Sequence, residues 1–179
     1  MNTLNQKKVS IIIPTYNQEN FIAQTIESAL SQDYNNLEVI ISDDNSSDRT
    51  EEIVKTYRSD KRLKYFKNPI NLGRVGNYHK ALYEYARGSY VLYLDGDDFL
   101  VDNSYISNAM NLMLLNNLIM VFAKAKTLVK DILIEDKVNS DLPNIIDGNW
   151  LFLNYYVAEP KIHKLLINIF LSLSNLLKP

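Results

Sequence analysis

The chain of 179 residues contains no cysteine, which removes disulfide bridges, thiolate nucleophiles and zinc–cysteine centres from consideration and is compatible with a reducing compartment. An excess of charge of one sign is missing too. Nineteen Lys and Arg stand against 21 Asp and Glu, a formal net charge of -2, so no basic field is available to grip nucleic acid. No apolar run approaches the roughly 20 residues that a membrane-spanning helix needs. The segment 1–8 is polar and leads directly into an apolar run, without the pattern of a secretory signal. Glycine is scarce, with five in all. None builds a dinucleotide fingerprint after the first apolar run, and Gly73-Arg74-Val75-Gly76 lacks the spacing of a phosphate loop, so a dehydrogenase reading finds no support. What remains is a globular composition, 46% hydrophobic and 22% charged, in a chain long enough for one domain with a substantial core.

The apolar pattern alternates between two periods. Val9-Ser10-Ile11-Ile12-Ile13 is a β-branched run suited to a strand buried on both faces of a parallel sheet, ended by Pro14. Phe21, Ile22, Thr25, Ile26, Ala29 and Leu30 then recur at helical spacing and predict an amphipathic helix over 19–32. A second strand is expected at 37–41, followed by a helix through Tyr57 that starts from a capping box of Asp48 and Glu51. A short strand at 63–66 follows, its basic run Lys61-Arg62-Leu63-Lys64 reading as a solvated edge. Next come a helix over 75–86 stopped by Gly88 and a strand at 90–94. Beyond it the pattern predicts a helix around Ile106 to Leu114, strands at 118–122 and 127–134, a short helix at 150–156 and an amphipathic tail helix over 161–179. The tail's stripe suits core packing or contact with a membrane surface or a protein partner. Strand and helix alternating over 9–98 imply an α/β fold with a mostly parallel sheet flanked by helices.

Tyr90-Val91-Leu92-Tyr93-Leu94 runs straight into Asp95-Gly96-Asp97-Asp98. Three carboxylates so close repel one another unless a cation or a set of donors sits among them. Oxygen ligands suit Mg²⁺ or Mn²⁺, while a plain Asp-Gly hairpin turn is the competing reading. Position in the fold argues for the site. Ligands of parallel sheets bind at the carboxyl ends of strands, and three such ends here carry polar or acidic loops: 15–17, 43–48 and 95–98. Right-handed crossovers place all three along one sheet edge, where they can share a cleft.

These stretches, with Asn71-Leu72-Gly73 and Asn77, resemble the family 2 glycosyltransferases in type, spacing and order over about 90 residues. The resemblance implies the Rossmann-like GT-A fold, with a nucleotide-sugar-binding domain over 1–123 and a partial acceptor-side segment over 124–179. It also implies inverting transfer of a sugar from a nucleotide diphosphate donor, most simply a UDP-sugar, to a glycan or lipid-linked acceptor in polysaccharide synthesis. Pro14, Thr15, Tyr16 and Asn17 would line the nucleoside pocket. Asp43 would accept from the base with Asp44 beside it, and Asp95 would hold the ribose. Asp97, with Asp98 as a ligand or supporting acceptor, would hold Mn²⁺ or Mg²⁺ against the diphosphate. Arg74 could add a cation there, or be an exposed loop arginine, and His79 is given no catalytic role. The expected location is the cytoplasm, including the inner face of the membrane. The general base of an inverting transfer is not identifiable: Glu135-Asp136, the only Glu-Asp pair, falls too early and reads as a solvated turn. A truncated, donor-binding but non-catalytic domain is therefore the alternative to an active transferase.

Overall fold

A computed structural model describes residues 7–118, 120–122, 126–129, 132–135 and 169–172. The elements run β1 (Val9–Thr15), α1 (Ile22–Leu30), β2 (Leu37–Asp43), α2 (Thr50–Thr56), β3 (Leu63–Lys67) and α3 (Gly73–Lys80). A π-helical turn, Ala81–Tyr85, prolongs α3. Then follow β4 (Tyr90–Tyr93), α4 (Tyr105–Asn116), β5 (Met120–Phe122), β6 (Lys126–Val129), β7 (Ile132–Glu135) and β8 (Ile169–Ser172). The chain separates into two compact units, one of Met1–Val121 with Phe170–Pro179 and one of Phe122–Ile169. The second unit contains the antiparallel hairpin β6–β7.

The main sheet has the order β3-β2-β1-β4-β8-β5. Strand β1 lies between β2 and β4, parallel to both, and β3 pairs parallel with β2. Successive side chains of a strand point to opposite faces, and the core follows that period. Val9, Ile11 and Ile13 pack with Ile22, Ile26 and Ala29 of α1 and with Ile106 and Met110 of α4. Ile12 and Val91 face the other way, against Ala81 and Tyr85. The β-branched runs form buried strands because helices cover both faces.

Polar groups lock the amino-terminal end of the sheet. Glu38, at 2% exposure, accepts hydrogen bonds from Ser10 Oγ at 2.7 Å, Arg87 N at 2.7 Å and Lys64 Nζ at 2.7 Å, and pairs with Lys8 Nζ at 3.1 Å. Burial alone would raise its pKa, but the hydrogen bonds from Lys64, Ser10, Arg87 and Lys8 prevail and hold it at about 2. Lys64 is thus more than a solvated edge residue: it neutralises a buried charge.

Several expectations change in the structure. Helix α3 begins at Gly73, whose φ of +74° suits glycine, instead of at Val75. Gly88 is required by close approach and not by a helix cap, because a Cβ there would stand 2.6 Å from Ser10 N. The expected capping box does not form, and α2 is capped at Arg49 without a side-chain bond. Asp48 Oδ1 accepts from Thr50 N at 3.0 Å, whereas Glu51 turns to Lys55 and Lys67. The run 127–134 is two strands of a hairpin, not one. Within the expected tail helix, Ile169–Ser172 is a strand, antiparallel to β4. Its apolar Ile-Phe-Leu sequence suits a strand, and the open edge of β4 supplies hydrogen-bonding partners that an isolated helix lacks. The expected helix at 150–156 lies outside the described residues, as does the rest of the tail.

Two outcomes follow for stability. The Glu38 pKa is depressed from 4.5 to about 2, so its contribution is fully present above pH 4.5 and lost as pH falls from there towards 2. The shift corresponds to about 3 kcal/mol, and Glu38→Gln should lose about that much at pH 7 and flatten the acid limb of a urea-melt series. An unchanged acid limb in the variant would refute this account. Gly88→Ala should cost about 2 kcal/mol in the same melts, since the backbone of β1 cannot retreat from the added methyl.

Candidate functional site

The strand order reverses direction of growth at β1: β2 and β3 lie on one side of it and β4 on the other. A crevice opens outside the carboxyl ends of strands at such a switch point. Here a cavity of about 480 Å³ is found there. Pro14, Thr15 and Tyr16 line it from the end of β1, Asp44 from the end of β2, and Asp95 and Asp97 from the turn after β4. Gln18, Asn71, Gly73, Arg74, Asn77 and Tyr78 complete the lining. Loops distant in sequence share one cleft, as the topology implied.

Each loop is held by hydrogen bonds to another. Asn17, with φ 53°, accepts from Ser47 N at 2.9 Å and donates its own N–H to Ser46 Oγ at 2.9 Å, tying the β1 loop to the β2 loop. Thr25 Oγ of α1 donates to Gly96 O at 2.9 Å and anchors the acidic turn from below. A Cβ on Gly96 would come 1.9 Å from Gln18 Oε1 and 3.0 Å from Thr15 Oγ1, so a larger residue would have to displace the Gln18 side chain from between these two loops. The turn is no hairpin, since β4 ends at Tyr93 and the chain continues to α4.

Among the described residues, six of the nine expected site residues line the cavity, and Asn17, Asp43 and Asp98 do not. Asp43 is fully buried, its oxygens accepting from Ser46 N at 2.8 Å and Tyr65 OH at 2.6 Å. Asp44 accepts from Leu72 N at 2.8 Å and Asn68 Nδ2 at 3.0 Å, both on Oδ1. Asn68 also donates to Asn77 Oδ1 at 3.1 Å, and Asn77 Nδ2 donates to Ser42 O at 2.8 Å. This amide network fixes the floor beneath Asp44.

The acidic turn carries the electrostatics. Burial, then the charges of Asp95 and Asp97, push the Asp98 carboxyl up to about 6. Asp95 is raised as well, by burial and by Asp97, with Arg74 opposing. Crowded carboxylates that resist ionisation are the donor set a divalent cation relieves. Among the described residues no three carboxylate or imidazole side chains converge on one metal position, so substrate oxygens and water would have to complete a coordination sphere. Arg74, 77% exposed, reaches Asp95 Oδ2 at 3.4 Å and is the one cation among the described lining residues. His79 is exposed and packs on Tyr83, with ring centroids 4.5 Å apart.

Sequence reasoning missed Gln18, which carries no motif signal, and Tyr78, which fits the helical apolar spacing and so reads as core. Asn71, Gly73 and Asn77 belonged to the motif without a role; the structure shows them forming cavity wall.

Among known proteins, the chain is 41% identical over 118 residues to an uncharacterized glycosyltransferase of Haemophilus influenzae, covering 65% of this chain and 46% of that protein. It is 44% identical over 105 residues to the Escherichia coli UDP-Glc:alpha-D-GlcNAc-diphosphoundecaprenol beta-1,3-glucosyltransferase WfaP, covering 59% of this chain and 41% of that one. The Staphylococcus aureus TarS fragment 1-349 in complex with UDP-GlcNAc superposes with a TM-score of 0.70 at 25% identity, over 90% of this chain and 44% of that one. The chain thus spans less than half the length of these relatives. Because the model of glycosyl transferase family 2 matches residues 10–155, which include every residue lining the cavity, the chain belongs to glycosyl transferase family 2.

Proposed function

We propose that the cavity binds a UDP-sugar in complex with a divalent cation, and that this unit is the donor half of an inverting glycosyltransferase of polysaccharide or glycan synthesis. The observation that carries the reading is the convergence of Asp44, Asp95, Asp97, Arg74 and Tyr16 on one cavity at the strand-order switch point. The relatives support it: WfaP is named for a UDP-Glc donor and a lipid-linked acceptor, and the TarS fragment holds UDP-GlcNAc. Residues 1–123 would supply the donor site, with acceptor contacts coming from later in the chain.

Tyr16, half exposed at the lip, offers a ring face on which a base can stack. Asp44 is the carboxylate for the base's N–H, a change from the expected Asp43. Its Oδ2 takes no hydrogen bond from the described residues, whereas Asp43 spends both oxygens on Ser46 and Tyr65. Asp95 accepts from ribose hydroxyls. Asp97, with Asp98 behind the lining as a ligand or supporting acceptor, would hold Mn²⁺ or Mg²⁺, which would stabilise the negative charge developing on the departing diphosphate. Arg74 can swing from Asp95 to add a second positive charge there. The described residues assign no general base.

Calorimetric titration of UDP with and without Mn²⁺, repeated on Asp97→Ala, tests the site. Wild-type affinity should rise at least about tenfold with Mn²⁺, and the variant should lose that gain, consistent with a charge-assisted ligand contact. Equal affinity with and without metal would count against a metal-assisted site. Asp44→Asn should weaken UDP more than about fivefold while leaving the Mn²⁺ dependence intact, because it replaces an acceptor far from the diphosphate. Release of UDP from UDP-glucose, followed over hours, separates a transferase from a donor-binding domain without catalysis.

A further inference from the structure

Tyr78 enters the cavity from α3 without any role in the reading above. Its ring stacks on that of Tyr93, with centroids 4.9 Å apart and planes 19° from parallel. Tyr93 OH in turn donates to Tyr78 O at 3.2 Å. Held this way, the Tyr78 hydroxyl donates to Asp95 Oδ1. One helical turn earlier, Arg74 reaches Asp95 Oδ2 at 3.4 Å and lies 5.5 Å above the Tyr78 ring. Both oxygens of Asp95 are therefore approached from one face of α3, and the two partners are unequal. Arg74 is an exposed, flexible side chain whose ion pair water screens. Tyr78 has two side-chain torsions, and stacking removes the freedom of both, so its hydrogen bond costs little further entropy.

We propose that Tyr78 is a positioning residue: it fixes the Asp95 carboxylate in the orientation that accepts the two neighbouring hydroxyls of a ribose. This rests on the nucleotide-sugar reading of the cavity. An aspartate in an open turn samples several rotamers, and a cis-diol is bound well by a carboxylate in only one of them. A carboxylate has about four lone-pair directions; one is spent on Tyr78, and the others remain for Arg74 and the sugar. Sequence spacing could not show this, because Tyr78 and Asp95 lie on different elements and meet only when α3 packs over β4.

The test compares UDP with 2′,3′-dideoxy-UDP, both with Mn²⁺, on the wild-type chain, Tyr78→Phe, Asp95→Asn and the double variant. Tyr78→Phe keeps the ring stack and removes only the hydroxyl, and thermal melting checks that the variant is folded. It should weaken UDP about tenfold and the dideoxy nucleotide less than about twofold, and it should add nothing once Asp95 is Asn. Equal losses for both nucleotides would show a merely structural tyrosine and overturn the assignment, as would an undiminished preference for UDP. Wild-type protein that binds neither nucleotide would instead defeat the nucleotide reading itself, and the role of Tyr78 would fall with it.

Discussion

The parallel pairing of β1 with both β2 and β4 is the constraint on which the rest depends. Parallel strands require crossover connections, and the three crossovers here carry α1, α2 and α3 over the sheet. Because β2 and β4 add to opposite sides of β1, their helices diverge at its carboxyl end and leave a crevice. Every chemically useful residue of the cavity stands at or beside that crevice. The opposite end of the strands is closed by Glu38 and its donors, which join β1, β2, β3 and the segment before β4 through one buried carboxylate. One end of the sheet is thus closed by satisfied charge, and the other is left open with charge unsatisfied.

That asymmetry sets the electrostatics of the two ends apart. At the closed end, hydrogen bonds more than offset the burial of Glu38, so the group is ionised and inert. At the open end, burial and mutual repulsion raise Asp95 and Asp98. Carboxylates crowded in this way are relieved by a nearby positive charge, which is the physical basis of the proposed cation-assisted binding. Rigidity comes from hydrogen bonds at the perimeter: Thr25 to Gly96, Asn17 to the β2 loop, and Asn68 and Asn77 beneath Asp44. These groups tie the loops to one another and limit how far the cavity can deform.

Helix α3 has more influence on the site than its apolar spacing suggests. Its start at Gly73 sets the wall, Asn77 braces the floor, and Arg74 and Tyr78 meet Asp95. The π-helical turn that follows lets Ala81 and Tyr85 still face the sheet, with Tyr85 stacked on Phe66 at 4.0 Å. A helix that covers the sheet on one side thereby positions polar groups at its edge.

The sequence by itself determined the alternation of strands and helices, the parallel sheet, and the three loops that meet at its carboxyl edge. Those features follow from local periodicity and from the handedness of crossovers, which a linear reading captures. It also determined the family, through four motifs in order. Only the tertiary structure decided which of two adjacent aspartates faces the cavity. The side chains of Asp43 and Asp44 differ in environment through partners from other parts of the chain, Tyr65 for the one and Asn68 and Leu72 for the other. It likewise decided that Tyr78 belongs to the site and that Gly88 answers to Ser10 instead of to a helix end. The run 169–172 forms a strand because the edge of β4 is there to receive it, a partner that helical spacing within the tail cannot reveal. In each case the deciding contact joins residues far apart in the chain, and such contacts exist only once the elements have packed.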